Sequence, residues 1–242
     1  SALVLALVLS VIFSLLLVRH LGVNPVFAGR AFLAGSFHFS LGNYIGDFLQ
    51  SAPVYLLPIM VFALFGEKDT AIYSVGYAVA SIAFLVPTAI GYATFISGCR
   101  EDGGTLPVKK ILVPTILLLG ALVLVFFFWG TDILGILGPQ YAGTAGLVVT
   151  IMGASLFALF FQIYAAGFKV NKEIRKLILL NGAFFIAVMG MSYLFMLRVG
   201  LAGAGYAWIA AYAICVIPLG CLTIVKKEKN GLIKPGSVPP YP

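Results

Sequence analysis

The sequence predicts an all-α fold, a polytopic transmembrane helix bundle of about seven membrane spans arranged in hairpins. Three observations predict it. Of the 242 residues, 62% are apolar and 10% charged, whereas an ordinary soluble domain carries about 25% charged residues. Apolar runs such as Ile111 to Trp129, Ala142 to Phe168 and Leu201 to Val225 each exceed the roughly 18 residues that cross the hydrocarbon as a helix. Lys and Arg also alternate between rich and sparse connections along the chain, as the two sides of a membrane require.

The spans are expected at 2–18, 39–65, 70–98, 108–129, 141–168, 174–197 and 201–225, each bounded by Gly, Pro or charge. The first, Ala2 to Val18, lacks the basic n-region, initiating Met and cleavage site of a secretory signal. Its start at Ser1 reads as a cut through a longer chain, so upstream helices are expected. Arg19 to His38 is too polar and Gly-broken to cross, yet carries Phe27, Phe32, Leu33 and Phe37. An interfacial cytoplasmic linker suits it, with the apolar side chains at the headgroup boundary. Residues 39–225 then form a six-helix bundle of three hairpins, 39–98, 108–168 and 174–225. The last stretch, 226–242, holds four Lys and four Pro without an apolar period and reads as a disordered basic cytoplasmic tail.

Charge assigns the sides. One side receives Arg19, Arg30, Arg100, Lys109, Lys110, Lys169, Lys172, Arg175, Lys176, Lys226, Lys227, Lys229 and Lys234, which is 13 of the 15 basic residues. The other receives Lys68 and Arg198 alone. By the positive-inside rule the rich side is cytoplasmic, and the C-terminus with it. The net charge of +7 is thus a topology signal in short loops and implies no nucleic-acid partner; the partner it implies is the lipid bilayer. Cys99, Cys215 and Cys221 are too scattered for a disulfide framework or a metal site and read as small apolar residues.

No enzyme motif with usable geometry occurs, so no catalytic residue, metal site or cofactor is expected. Gly203-Ala204-Gly205 lacks the third Gly and the strand of a dinucleotide site. Glu67 and Asp69 flank Lys68 in an external turn, where they would hold a divalent metal in a membrane glycosyltransferase; the favoured reading is a tight turn with Asp69 capping the next helix.

The acidic group well inside a span is Asp47, about 12 Å along its helix at 1.5 Å per residue. An ionisable side chain there faces a wet cavity or a partner. Ser40, Asn43, Tyr44, Asp47, Gln50, Ser51 and Tyr55 fall within about 140° of one another at 100° per residue. Tyr73, Tyr77, Ser81, Thr88 and Tyr92 cluster on the third span, Ser155, Gln162 and Lys169 recur every seven residues on the fifth, and Asn181 and Ser192 share a face of the sixth. Singly, such residues serve interhelical hydrogen bonds; together the stripes predict a water-filled, Tyr-lined cavity built on Asn43, Asp47, Gln50, Ser51, Tyr77, Ser81, Thr88 and Gln162. Pro53, Pro58, Pro87, Pro114 and Pro218 lie inside spans, where each removes a backbone hydrogen bond and permits a kink.

Gly42-Asn43-Tyr44-Ile45-Gly46-Asp47 opens a span, and Phe65-Gly66-Glu67-Lys68-Asp69-Thr70-Ala71-Ile72-Tyr73 turns into the next. Gly138-Pro139-Gln140-Tyr141 precedes a long helix, and Gly200-Leu201-Ala202-Gly203-Ala204-Gly205-Tyr206-Ala207 precedes the last. In these segments and their order the chain resembles the polysaccharide flippases of the O-antigen (Wzx) type, within the multidrug/oligosaccharidyl-lipid/polysaccharide superfamily. The resemblance implies two bundles of about six helices joined by a cytoplasmic linker, with this chain as the C-terminal half and a missing N-terminal bundle as its partner. It also implies a plasma-membrane transporter that moves an isoprenoid diphosphate-linked glycan by alternating access without ATP hydrolysis, with a Na⁺ or H⁺ gradient as one drive. Members of the family often carry Arg or Lys in the central cavity to meet the diphosphate. This chain has none deep within a span, so either the missing half supplies them or Arg30, Arg100, Lys109, Lys169 and Arg175 do so from the cytoplasmic rim; the plainer reading of these five is topology determinants alone. Two other readings stay open: a multidrug or cation exporter of the same superfamily, to which Tyr-rich walls and an acid also fit, and the glycosyltransferase built on Glu67 and Asp69.

Overall fold

The computed structural model describes residues 2–20, 30–99 and 108–229. These form seven α helices and one 3-10 turn, with no strand among the described residues. The helices are α1 (Ala2–His20), α2 (Arg30–Phe65), α3 (Glu67–Gly98), α4 (Val108–Leu137), α5 (Ala145–Val170), α6 (Ile174–Val199) and α7 (Ala202–Lys229), and the 3-10 turn Pro139–Thr144 leads into α5. The chain divides into two compact units between Ser40 and Leu41, within α2. The first holds α1 and the opening turns of α2; the second holds everything that follows.

Six segments are long and apolar enough to cross a membrane: Phe39–Phe65, Glu67–Gly98, Ile111–Leu137, Pro139–Val170, Ile174–Val199 and Ala202–Cys221. Large apolar side chains stand on their outer faces, including Phe127, Phe128 and Ile136 on α4 and Leu179 and Ile186 on α6. Lipid is the solvent that tolerates such a surface. The chain is a multi-pass membrane protein with an all-helical bundle. α1 adds an apolar helix of 19 residues, about 28 Å at 1.5 Å per residue.

Several boundaries differ from the sequence reading. α2 starts at Arg30, nine residues before the predicted span, because the segment from Arg30 to His38 is built of residues a helix accepts, with Gly35 the single weak former; polarity limits what crosses lipid, not what coils. Residues 21–29 of the expected linker, Phe27 among them, lie outside the described residues, while Phe37 is helical and exposed. α4 continues eight residues past Trp129 to Leu137. Gly130 costs that helix about 1 kcal/mol of propensity, but Leu134 beyond it is completely buried. α7 likewise runs through Lys226 and Lys227 to Lys229, so the opening of the expected tail is helical, and residues 230–242 are outside the described set. Asp69 is not the cap of α3: Gly66 occupies that position at φ 85°, and Glu67 and Asp69 both fall in the first turn. Only glycine adopts that φ without strain, which is why the chain reverses there.

The core gathers on α5, half of whose span is buried within the protein, against 17% for the peripheral α4. α5 packs against α3, α4 and α7, and α6 packs against α7. Between helices in lipid no hydrophobic drive operates, so close van der Waals approach decides association. Buried Ala154, Ala158, Ala165 and Ala166 on α5 and Ala204, Ala207 and Ala211 on α7 permit it. Phe161, Phe184, Trp208 and Tyr212 fill the space left between them, with Phe184 and Tyr212 ring centroids 4.4 Å apart.

Candidate functional site

Four helices of the second unit surround a cavity of about 580 Å³, each presenting one stripe of side chains. α2 contributes Asn43, Asp47, Gln50, Ser51 and Val54, positions that recur on one face of a 3.6-residue helix. α3 contributes Tyr77, Phe84, Thr88, Gly91, Tyr92 and Phe95; α5 contributes Gln162, Ala165, Ala166 and Lys169; α7 contributes Trp208 and Tyr212. The lining thus begins near the start of the α2 span and the ends of α3 and α5, and reaches inward to the aromatic core.

The centre of the site is an ion pair. Lys169 Nζ donates to Asp47 Oδ1 at 2.7 Å. Asp47 lies eight residues into the span that opens at Phe39, and Lys169 is one residue short of the end of α5, so the lysine stem reaches along the helix to meet the acid. Its side chain is the more buried partner, 21% exposed against 55% for Asp47. These two are the charged residues of the lining, and they cancel.

Local structure fixes the acid. Asn181 on α6, completely buried, donates its Nδ2–H to the carbonyl of Gly46 at 2.9 Å. A Cβ on Gly46 would stand 3.2 Å from that nitrogen and 3.3 Å from Leu177, so glycine is what lets α2 approach α6 one residue before Asp47. On the other side, Ser51 Oγ donates to the Asp47 carbonyl at 2.7 Å. Pro53 and Pro87, inside α2 and α3 at the depth of the cavity, cannot donate to the preceding turns of their helices.

Seven of the eight residues predicted for the cavity come together in its wall: Asn43, Asp47, Gln50, Ser51, Tyr77, Thr88 and Gln162. Ser81 does not line it. Its hydroxyl donates back to the Ala78 carbonyl at 2.7 Å, and the Trp208 ring packs against Tyr77 and Phe84, which flank it on α3. Tyr44 and Tyr55 of the polar α2 face are exposed and outside the lining, while Tyr73 and Ser155 are buried in the core. Of the expected rim, Lys169, near the end of α5, lines the cavity and is paired with Asp47; Arg175 is exposed and does not line the cavity. Arg100 lies outside the described residues, and the side chains of Arg30 and Lys109 do as well.

The aromatic floor was missed by the sequence reading. Trp208 packs on Tyr77 at 5.5 Å between ring centroids, on Phe84 at 6.0 Å and on Tyr212 at 6.1 Å, and its indole N–H donates to Tyr73 Oη at 3.4 Å. The spacing of Trp208 and Tyr212 by one helical turn was the available signal. No group of three or more His, Cys, Asp or Glu side chains is placed to hold a metal ion among the described residues. No family model, curated protein sequence or solved structure matches the chain.

Proposed function

We propose that this chain is part of a membrane transporter that carries a lipid-linked saccharide across the bilayer by alternating access, as the resemblance to polysaccharide flippases implies. The observation that supports the reading most is a cavity of about 580 Å³ with largely apolar and aromatic walls and a stripe of polar side chains, Asp47, Gln50 and Gln162 among them, set within helices apolar enough to span lipid. Polar groups at that depth carry a solvation cost that substrate passage accounts for and a structural role alone does not. The volume falls within the roughly 300–1,000 Å³ of small-ligand sites. By the distribution of Lys and Arg, the end bearing Lys169, Lys172 and Lys176 is cytoplasmic in the plasma membrane, so the cavity loads from the cytoplasm. The glycosyltransferase reading is weaker, because Glu67 and Asp69 belong to the first turn of α3 and the cavity to its later turns.

The test fills the cavity. Ser51→Trp and Thr88→Trp place an indole in the lining from positions that are not buried, while Leu85→Trp puts the same ring on an exposed face of the same α3 helix. Glycan export in the native cell should drop at least tenfold in the first two at unchanged membrane abundance and stay normal in the third. Normal export with the cavity filled would contradict the reading.

A further inference from the structure

The charge arrangement in the cavity indicates which part of a lipid-linked saccharide it meets, an inference that rests on the function proposed above. A diphosphate would need Lys169, yet that side chain is the more buried of the pair and its ammonium already donates to Asp47 at 2.7 Å. An entering anion meets the more exposed carboxylate first and is repelled. An entering organic cation finds that carboxylate already neutralised by an ammonium at its back. Uncharged hydroxyl groups incur neither repulsion.

The remaining lining suits hydroxyls. The carboxylate of Asp47 keeps lone pairs beyond the one that accepts from Lys169, and the amides of Gln50 and Gln162 both donate and accept. Ser51 and Thr88 give their hydroxyl hydrogens to the backbone carbonyls of Asp47 and Phe84, at 2.7 and 2.8 Å, which leaves their oxygens as acceptors. The rings of Tyr77 and Trp208, tilted 32° to one another, line the same cavity. A pyranose has this same duality, with an apolar C–H face that packs on an aromatic ring and a hydroxyl edge that seeks paired acceptors and donors.

We infer that the cavity binds the uncharged pyranose part of the glycan, with Asp47 accepting from ring hydroxyls and Lys169 holding the carboxylate in place, and that the phosphate part is held elsewhere. The protein carries two tryptophans, Trp129 and Trp208. Trp129 is 58% exposed on α4 and outside the cavity, so Trp129→Phe leaves Trp208 as a single reporter in the wall. The purified protein in nanodiscs is titrated with neutral free mono- and disaccharides, with inorganic pyrophosphate and with tetraphenylphosphonium. The expected result is a saturable change in Trp208 emission with at least one neutral sugar, weakened at least tenfold by Asp47→Asn and by Gln162→Leu, each checked for folding by its elution as a single species, and no response to pyrophosphate. Saturable binding of pyrophosphate that Lys169→Met abolishes, with none of sugars, overturns this inference and leaves the transporter reading standing. Binding of tetraphenylphosphonium alone overturns both and favours the cation exporter, and no response to any neutral sugar at 100 mM, a concentration about a hundredfold above a millimolar site, overturns the inference by itself.

Discussion

Asp47 and Lys169 are 122 residues apart in sequence and 2.7 Å apart in space. Their meeting depends on the register of α2 against α5, which no local pattern encodes; the acid was legible as a charge inside an apolar span, the lysine only as one of several loop cations. The pair is partly exposed, and an ion pair of that kind contributes about 1 kcal/mol or less. A double-mutant cycle of Asp47→Asn and Lys169→Met, read by thermal unfolding in detergent, should therefore give a coupling energy below about 1 kcal/mol. Its effect on export should be larger. Asp47→Asn should keep shape and insertion but lower export, whereas Asp47→Leu should also lower membrane abundance; normal export by the Asn variant would reduce the acid to a structural role. Gly46 makes a sharper stability prediction. A side chain there meets Asn181 and Leu177 at 3.2 and 3.3 Å, so Gly46→Leu should destabilise by about 2 kcal/mol as α2 is forced from α6, while Gly182→Ala, whose added Cβ stands 3.8 Å from Leu49, should stay within about 0.5 kcal/mol.

At the scale of the helices, hydropathy made the spans legible because lipid permits few alternatives: a backbone that crosses must satisfy its own hydrogen bonds, so length and apolarity nearly settle the element. The end of α2 at Phe65 and the start of α6 at Ile174 fall where the sequence places them. Termini in the interface were less legible, as α4 and α7 show, since polar residues end a span without ending a helix. The polar stripe on α2 was readable because Asn43, Asp47, Gln50 and Ser51 stand out against apolar neighbours. Trp208, Tyr212 and Phe84 were not, because an aromatic at helical spacing looks the same whether it faces a core or a cavity. The assignment of sides is tested with single cysteines in a background lacking Cys99, Cys215 and Cys221. Positions beside Lys68 and Arg198 should label with an impermeant thiol reagent in intact cells, and positions beside Lys110 and Lys172 should not. Labelling in the reverse or a mixed pattern would overturn the orientation.

For the whole molecule, two features bear on the proposed transport: a cavity of about 580 Å³ whose lining includes Lys169 near the end of α5, and prolines inside two of the helices that wall it. Pro53 and Pro87 weaken the backbone ladders of α2 and α3 beside the site, and broken ladders at a substrate site are what rocking of one helix group against another requires. The central claim is movement of a glycolipid, and it is measured most directly in liposomes that hold the full-length protein. A fluorescent isoprenyl diphosphate saccharide in both leaflets is bleached by a membrane-impermeant reductant, so lipid that crosses becomes accessible. Faster bleaching of the inner pool than in protein-free vesicles is predicted, returning to the protein-free rate with Ser51→Trp and unchanged with Leu85→Trp. Bleaching no faster than in protein-free vesicles, or equal acceleration for an ordinary phospholipid probe, would contradict the account.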